Sequence, residues 1–253
     1  VIKRVLERAR KIIFEAIFPS NIYCISCGSL IDKTRNYSLC DKCMGKLHWI
    51  NGRTCDKCGK ALPQTYKGRF CYDCMTYSHY FSKGYSCLTY GMYERELLFD
   101  FKYRGKSYLA EKFADILYDR MACEDIQIDV IIPIPVGAER LRKRGYDQSV
   151  LMADNLSARW CVPVAKDILL RKRDTPFLRG LSPVERENVL KNVFCISQTG
   201  QKTVRSKRIL LVDDIYTTGS TADACSKELL EKGAEDIFLL TLASGGNRKP
   251  KMV

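Results

Sequence analysis

Eight of the thirteen cysteines in this chain stand in four Cys-x-x-Cys pairs: Cys24/Cys27, Cys40/Cys43, Cys55/Cys58 and Cys71/Cys74. Two cysteines separated by two residues can turn both sulfurs toward one point, and two such pairs complete the tetrahedron that zinc accepts. The segment also repeats: Cys24-x-x-Cys27-Gly28 recurs as Cys55-x-x-Cys58-Gly59, and Cys40-x-x-Cys43-Met44 as Cys71-x-x-Cys74-Met75, each 31 residues later. Two tandem ribbons follow, one zinc on Cys24, Cys27, Cys40 and Cys43 and another on Cys55, Cys58, Cys71 and Cys74. A cross-braced exchange of the pairs is the alternative. Four thiolates leave no open position for water, so both zincs are expected to be structural rather than catalytic. The remaining cysteines, Cys87, Cys123, Cys161, Cys195 and Cys225, stand singly, mostly among apolar residues, and read as buried free thiols. His48 and His79 have no partner at ligand spacing and are given neither a metal nor a catalytic role.

A second constellation runs from Ile209 to Thr221, where four aliphatics precede Asp213-Asp214-Ile215-Tyr216-Thr217-Thr218-Gly219-Ser220-Thr221. A buried strand delivering two carboxylates at its carboxyl end is where open α/β sheets bind ligands. The hydroxyl-rich turn then opens a helix, so free backbone N–H groups, hydroxyls and the helix dipole converge on one spot suited to a phosphate. The loop lacks the Walker spacing, and its single glycine excludes the dinucleotide fingerprint. A plain helix cap explains Thr217 or Ser220 but not the acidic pair.

These residues resemble the 5-phosphoribosyl 1-pyrophosphate signature of type I phosphoribosyltransferases. The resemblance implies that Asp213 and Asp214 hold the ribose hydroxyls and that Thr217, Thr218, Gly219, Ser220 and Thr221 hold the 5-phosphate. Ile132-Pro133-Ile134-Pro135, Leu141-Arg142-Lys143-Arg144-Gly145-Tyr146-Asp147-Gln148, Lys102-Tyr103-Arg104-Gly105 and Arg173-Asp174-Thr175-Pro176, with the cysteine module ahead of them, are similar to the ComF family of competence proteins from about Pro19 to Ala243. Following the strand, Ile134, Pro135, Val136 and Gly137 would form the pyrophosphate loop, with Arg140 and Arg144 as charge partners for the diphosphate, surface solvation being the arginines' other reading, and Lys102 as a further expected contact. Asp147 stands where the family usually has Asn, and Leu178 where it usually has Gln; each departure removes an amide that could bond substrate. The polar stretch Arg171 to Leu190, interrupted by Pro176, Gly180 and Pro183, suits either a mobile lid or an ordinary surface loop; Arg171, Arg173 and Thr175 are its candidate catalytic contacts.

The elements that must position these groups belong to an α/β class, a mostly parallel sheet with flanking helices of the phosphoribosyltransferase type, plus a small N-terminal double zinc ribbon. Strands are expected at Tyr85–Tyr90, Val130–Ile132, Ile168–Leu170, Val193–Ile196, Ile209–Val212 and Ile237–Leu242. Helices are expected at Arg95–Tyr103, Leu109–Met121, Ser149–Trp160 and Thr221–Lys232, the last stopped by Gly233. Ile2, Val5, Leu6, Ala9, Ile12, Ile13 and Ile17 lie at helical spacing, predicting an amphipathic helix over residues 1–19, ended by Pro19 and too interrupted to be a signal peptide or membrane span. Docking on the protein's own body is its expected use, a membrane surface the lesser one. The organisation is then 1–19 helix, 20–78 double ribbon and 79–253 phosphoribosyltransferase-like domain.

With 46% hydrophobic residues, a folded core rather than disorder is expected. The formal charge is +13, falling to about +9 if each four-thiolate zinc carries about −2. Residues 1–78 hold 14 Lys/Arg against 6 Asp/Glu, which suits nucleic acid or another polyanion, or reads as an inert solvated surface; the role implied by the family resemblance would have the ribbons and basic surface hold single-stranded DNA. Tyr66, Phe70 and Tyr72 could stack on bases, core packing being their other use. The compartment expected from the cysteine pattern is the reducing cytosol. The family resemblance implies a competence protein that binds phosphoribosyl pyrophosphate with magnesium and acts in DNA uptake and natural transformation beside the uptake machinery. The alternative is an active magnesium-dependent phosphoribosyltransferase, for which the residues name no acceptor.

Overall fold

The computed structural model describes residues 21–176 and 183–247. The amphipathic helix expected before Pro19, and Leu178, lie outside them. The chain divides into two compact units, one ending at Leu47 and the other beginning at His48. The first ribbon belongs to the former and the second ribbon to the latter.

The larger unit contains β1 (Lys83–Thr89), α1 (Met92–Tyr103), α2 (Leu109–Met121), β2 (Val130–Pro133), α3 (Ala138–Arg144), α4 (Gln148–Trp160), β3 (Leu169–Arg171), α5 (Pro183–Leu190), β4 (Phe194–Ile196), α6 (Gly200–Val204), β5 (Arg208–Tyr216), α7 (Ser220–Glu231) and β6 (Asp236–Ser244). Four strands form one parallel sheet in the order β1-β6-β5-β2. Its central register sets Ile209 against Val130 on one side and Ile237 on the other. Ile209 to Val212 are all fully buried, as a strand covered on both faces requires. Helix α2 packs on β1 and β6, α4 packs on β2 and β5, and the two helices touch each other; α7 packs on β6, β4 and α5.

Two expectations are corrected. The strands anticipated at Ile168–Leu170 and Val193–Ile196 do not join the parallel sheet but pair with each other, antiparallel, with Leu169 opposite Ile196. Leu169 is buried and its neighbour Leu170 is 42% exposed; a strand with one wet face suits a short antiparallel pair, whereas parallel strands need cover on both. Strand β5 runs past Val212 to Tyr216, so the acidic pair lies within its carboxyl end, where Asp213 and Ile215 still register against Thr241 and Ala243.

The two ribbons are built alike, bond for bond. Cys24 N–H donates to the Ser29 carbonyl and Cys55 N–H to that of Lys60, both at 2.8 Å, and Gly28 and Gly59 N–H close the knuckles on Cys24 and Cys55 at 2.9 Å. The bridges Tyr23 to Leu30 and Thr54 to Ala61 complete the parallel. They differ in environment. Cys27 of the first ribbon is exposed, whereas Cys55, Cys58 and Cys71 share one core with Phe81, Cys225 and the sheet residues Ile209, Leu211 and Leu239. The second ribbon is therefore continuous with the hydrophobic core of the sheet, and Gly84 N–H of β1 donates to the Lys57 carbonyl at 2.7 Å.

Candidate functional site

At the carboxyl end of β5 the chain turns through Thr217 and Thr218 into α7. Gly219 makes that turn at φ +89°, and a Cβ there would lie 2.7 Å from the Tyr216 hydroxyl and 2.9 Å from the His79 ring. Glycine is required both by the left-handed backbone and by this close approach. A pocket results, lined by Asp213, Thr217, Thr218, Gly219, Ser220 and Thr221 together with Arg186. The phosphate-loop residues expected from the sequence are thus brought together. The Thr218 and Ser220 hydroxyls lie 3.1 Å apart, and Arg186 donates to Thr218 Oγ1 at 2.8 Å. Sequence reasoning missed Arg186; its signal was a cation in the polar stretch before Leu190.

The acidic pair is asymmetric. Asp214 is ion-paired with Lys102 Nζ at 2.6 Å, which places the expected lysine on a carboxylate. Asp213 accepts from the Asp214 N–H at 2.8 Å and from the Ser149 hydroxyl at 3.4 Å. Burial, and then the neighbouring Asp214 charge, push its carboxyl up to about 7.

Asp147 caps α4, accepting from the Ser149 and Val150 N–H groups with one oxygen and from Val136 N–H with the other, the last at 2.9 Å. It holds the loop Pro135-Val136-Gly137 against α4, and burial raises its carboxyl above the usual range despite these bonds. Asp174 approaches the same loop: its carboxylate accepts from Glu139 N–H at 3.1 Å and occupies the space a Cβ on Gly137 would need. Arg140 donates to the Thr175 carbonyl at 3.3 Å, and Arg171 to the Thr175 hydroxyl. Arg144 donates to Gln148 at 2.6 Å and to the Tyr103 hydroxyl at 3.2 Å. Arg173 is engaged elsewhere, on the carbonyls of Val189 and Lys191 at 3.1 and 3.3 Å.

Behind the turn into α7, His79 has a side chain only 1% exposed, with Nδ1 on Asp223 of α7 at 2.6 Å and its ring stacked on Phe81 at 4.9 Å. His48 meets Glu94 at 3.1 Å. Each histidine pairs with a carboxylate distant in sequence.

The sulfurs of Cys24, Cys27, Cys40 and Cys43 lie within 4.8 Å of one another, as do those of Cys55, Cys58, Cys71 and Cys74. The tandem grouping holds. The Cys27 to Cys40 and Cys58 to Cys71 sulfurs are 3.8 and 3.6 Å apart, matching the edge of about 3.8 Å of a tetrahedron with Zn–S near 2.3 Å. Cys40 and Cys71 N–H groups point at Cys24 and Cys55 sulfurs, at 3.4 and 3.2 Å, as thiolate ligands favour. Both sets fit zinc. Of the five single cysteines, Cys87 and Cys225 are buried, and burial raises the Cys87 thiol to about 12. Cys123 and Cys161 are exposed and Cys195 half-buried, a correction to the expectation of burial: Cys161 sits past the end of α4 at φ +59°. Tyr66 packs against the core, its ring 5.4 Å from that of Tyr72, while Phe70 is 42% exposed.

Residues 13–75 match the family described as Double zinc ribbon domain. Competence protein F of Haemophilus influenzae is 30% identical over 232 residues, covering 88% of this chain and 97% of that protein. This chain belongs to the ComF family. Competence protein ComFC of Bacillus subtilis is 30% identical over 77% of this chain and 79% of its own length. Among solved structures, a purine phosphoribosyltransferase from Pyrococcus horikoshii covers 53% of this ComF-family chain and 71% of its own, at 20% identity and a TM-score of 0.34. Among the described residues no helix is long and apolar enough to cross a membrane.

Proposed function

We propose that this chain binds phosphoribosyl pyrophosphate and serves DNA uptake in natural transformation. The observation that carries the ligand is the convergence, at the carboxyl end of β5, of Asp213 and Asp214 with the hydroxyls and helix start of Thr217 to Thr221. Asp213 and Asp214 accept the ribose hydroxyls, the loop wraps the 5-phosphate, and Pro135 to Gly137 with Arg140 and Arg144 face the diphosphate. Magnesium, bound with the ligand, supplies charge neutralisation for the diphosphate. The role in transformation is supported by the family membership, and proteins of the uptake machinery are the proposed partners. Single-stranded DNA is the proposed macromolecular ligand, supported by the +13 formal charge.

Calorimetric titration with phosphoribosyl pyrophosphate and magnesium tests the pocket: saturable binding is expected, and none at millimolar ligand removes the assignment. Assay for released diphosphate with candidate acceptors reads turnover separately. DNA affinity is expected to fall steeply with salt; affinity indifferent to salt would remove its electrostatic basis.

A further inference from the structure

The end of α1 and the turn that follows it into α2 expose aromatic rings among cations. Between Phe99 and Tyr108 the chain carries three basic residues against one acid, and between Ala138 and Tyr146 four against one. Phe99, Tyr103 and Tyr108 are 46, 55 and 61% exposed, an unusual concentration of large aromatic surface within ten residues. The rings of Phe99 and Tyr103 lie 5.0 Å apart on α1. Guanidinium groups lie on both: Arg104 is 5.4 Å from the Phe99 centroid and Arg144, from α3, 5.0 Å from that of Tyr103. The Tyr146 hydroxyl donates to the Phe101 carbonyl, tying the turn after α3 to α1. Lys102, between these rings in sequence, reaches Asp214 at 2.6 Å, so the face borders the ribose-phosphate pocket.

We infer that this α1–α3 face is the surface on which single-stranded DNA lies, its bases stacking on Phe99, Tyr103 and Tyr108 and its phosphates meeting the surrounding arginines and lysines. The inference rests on the single-stranded DNA reading above and gives it a place. Cations alone would suit any polyanion, but exposed rings interleaved with guanidinium groups suit unpaired bases, which offer a π-face that a duplex keeps stacked inside. The net positive charge of both segments supplies the complementarity to the backbone.

The test is fluorescence anisotropy of a labelled thymidine oligonucleotide with the full, zinc-loaded chain. Tyr103→Ala and Tyr108→Ala are each expected to weaken binding about tenfold, while Tyr103→Phe, which keeps the ring, binds like the parent. Arg104→Gln and Arg142→Gln are expected to flatten the slope of log affinity against log salt by about 0.7 for each phosphate no longer neutralised. Circular dichroism and zinc content establish that each variant is folded. If the parent binds the oligonucleotide and the folded alanine variants bind it equally well, this face is overturned while the DNA reading stands. If the parent does not bind, both fall. Equal affinity for heparin or duplex overturns the stacking surface in favour of a general polyanion face, and tighter binding of a uridine oligoribonucleotide overturns the assignment to DNA.

Discussion

At the scale of single residues, the two adjacent aspartates are not equivalent. Asp214 has a cation 2.6 Å away, while Asp213 sits beside a like charge with its carboxyl raised to about 7. Asp→Asn at either position keeps the size and exchanges a charged acceptor for a neutral amide. Each lost bond to a ribose hydroxyl should cost about 1–3 kcal/mol, roughly ten- to hundredfold in affinity for phosphoribosyl pyrophosphate by calorimetry. Undiminished binding by the folded double variant would rule out the pocket. Asp213 also predicts a pH signature. Its folded value lies above its ordinary 3.8, so its proton contributes stability that is full below about pH 4 and lost as pH rises through about 7. Asp213→Asn is neutral at every pH and retains an oxygen for the Asp214 N–H. Thermal melts of ligand-free parent and variant should therefore lie close at about pH 4, with the variant melting progressively higher towards about pH 8; a constant offset across that range would refute the raised value.

At the scale of elements, the pocket depends on how α7 and α4 begin. Gly219 adopts φ +89° against the Tyr216 hydroxyl and His79 ring. Gly219→Ala forces the left-handed backbone on a residue with a Cβ, which costs about 1–2 kcal/mol before any clash, so a fall in Tm of roughly 2–8 °C is expected, with weaker ligand binding. An unchanged melt would mean that the turn relaxes freely. Asp147 joins α4 to the loop at Val136. Replacing it with alanine removes the cap, at about 1 kcal/mol, and leaves Val136 N–H without its acceptor; a stability loss accompanied by weaker diphosphate binding is expected. Equal calorimetric affinities of parent and variant for inorganic diphosphate would show that Asp147 acts on the helix alone.

At the scale of the whole molecule, two chemically alike ribbons stand in unlike surroundings. Elemental analysis should return two zincs per chain. Cys24→Ser should reduce this to one and leave the sheet unit's melt unchanged, because the first ribbon belongs to the unit that ends at Leu47. Cys58→Ser should also leave one zinc but lower the sheet unit's stability, because Cys58 is 1% exposed within the same core as β5 and β6. Identical melts for the two variants would show that the second ribbon is not energetically part of the core.

The ribbon ligands, their tandem grouping and the turn that lines the pocket after β5 were legible in the sequence because each is local: four-residue knuckles, a 31-residue repeat, and a strand, acid pair and turn within thirteen residues. The parallel sheet was legible in its buried aliphatic runs. Tertiary structure decided what sequence neighbours cannot express. Leu169–Arg171 and Phe194–Ile196 read like sheet strands, but their outer face is wet, so they pair with each other. His79 showed no partner at ligand spacing because its partner, Asp223, is 144 residues away. Arg186 enters the pocket only when α5 packs on α7. The burial of the second ribbon in the sheet's core, likewise, follows from residues far along the chain packing on its cysteines; a repeat records what each copy can bind, and only packing determines what each copy is buried against.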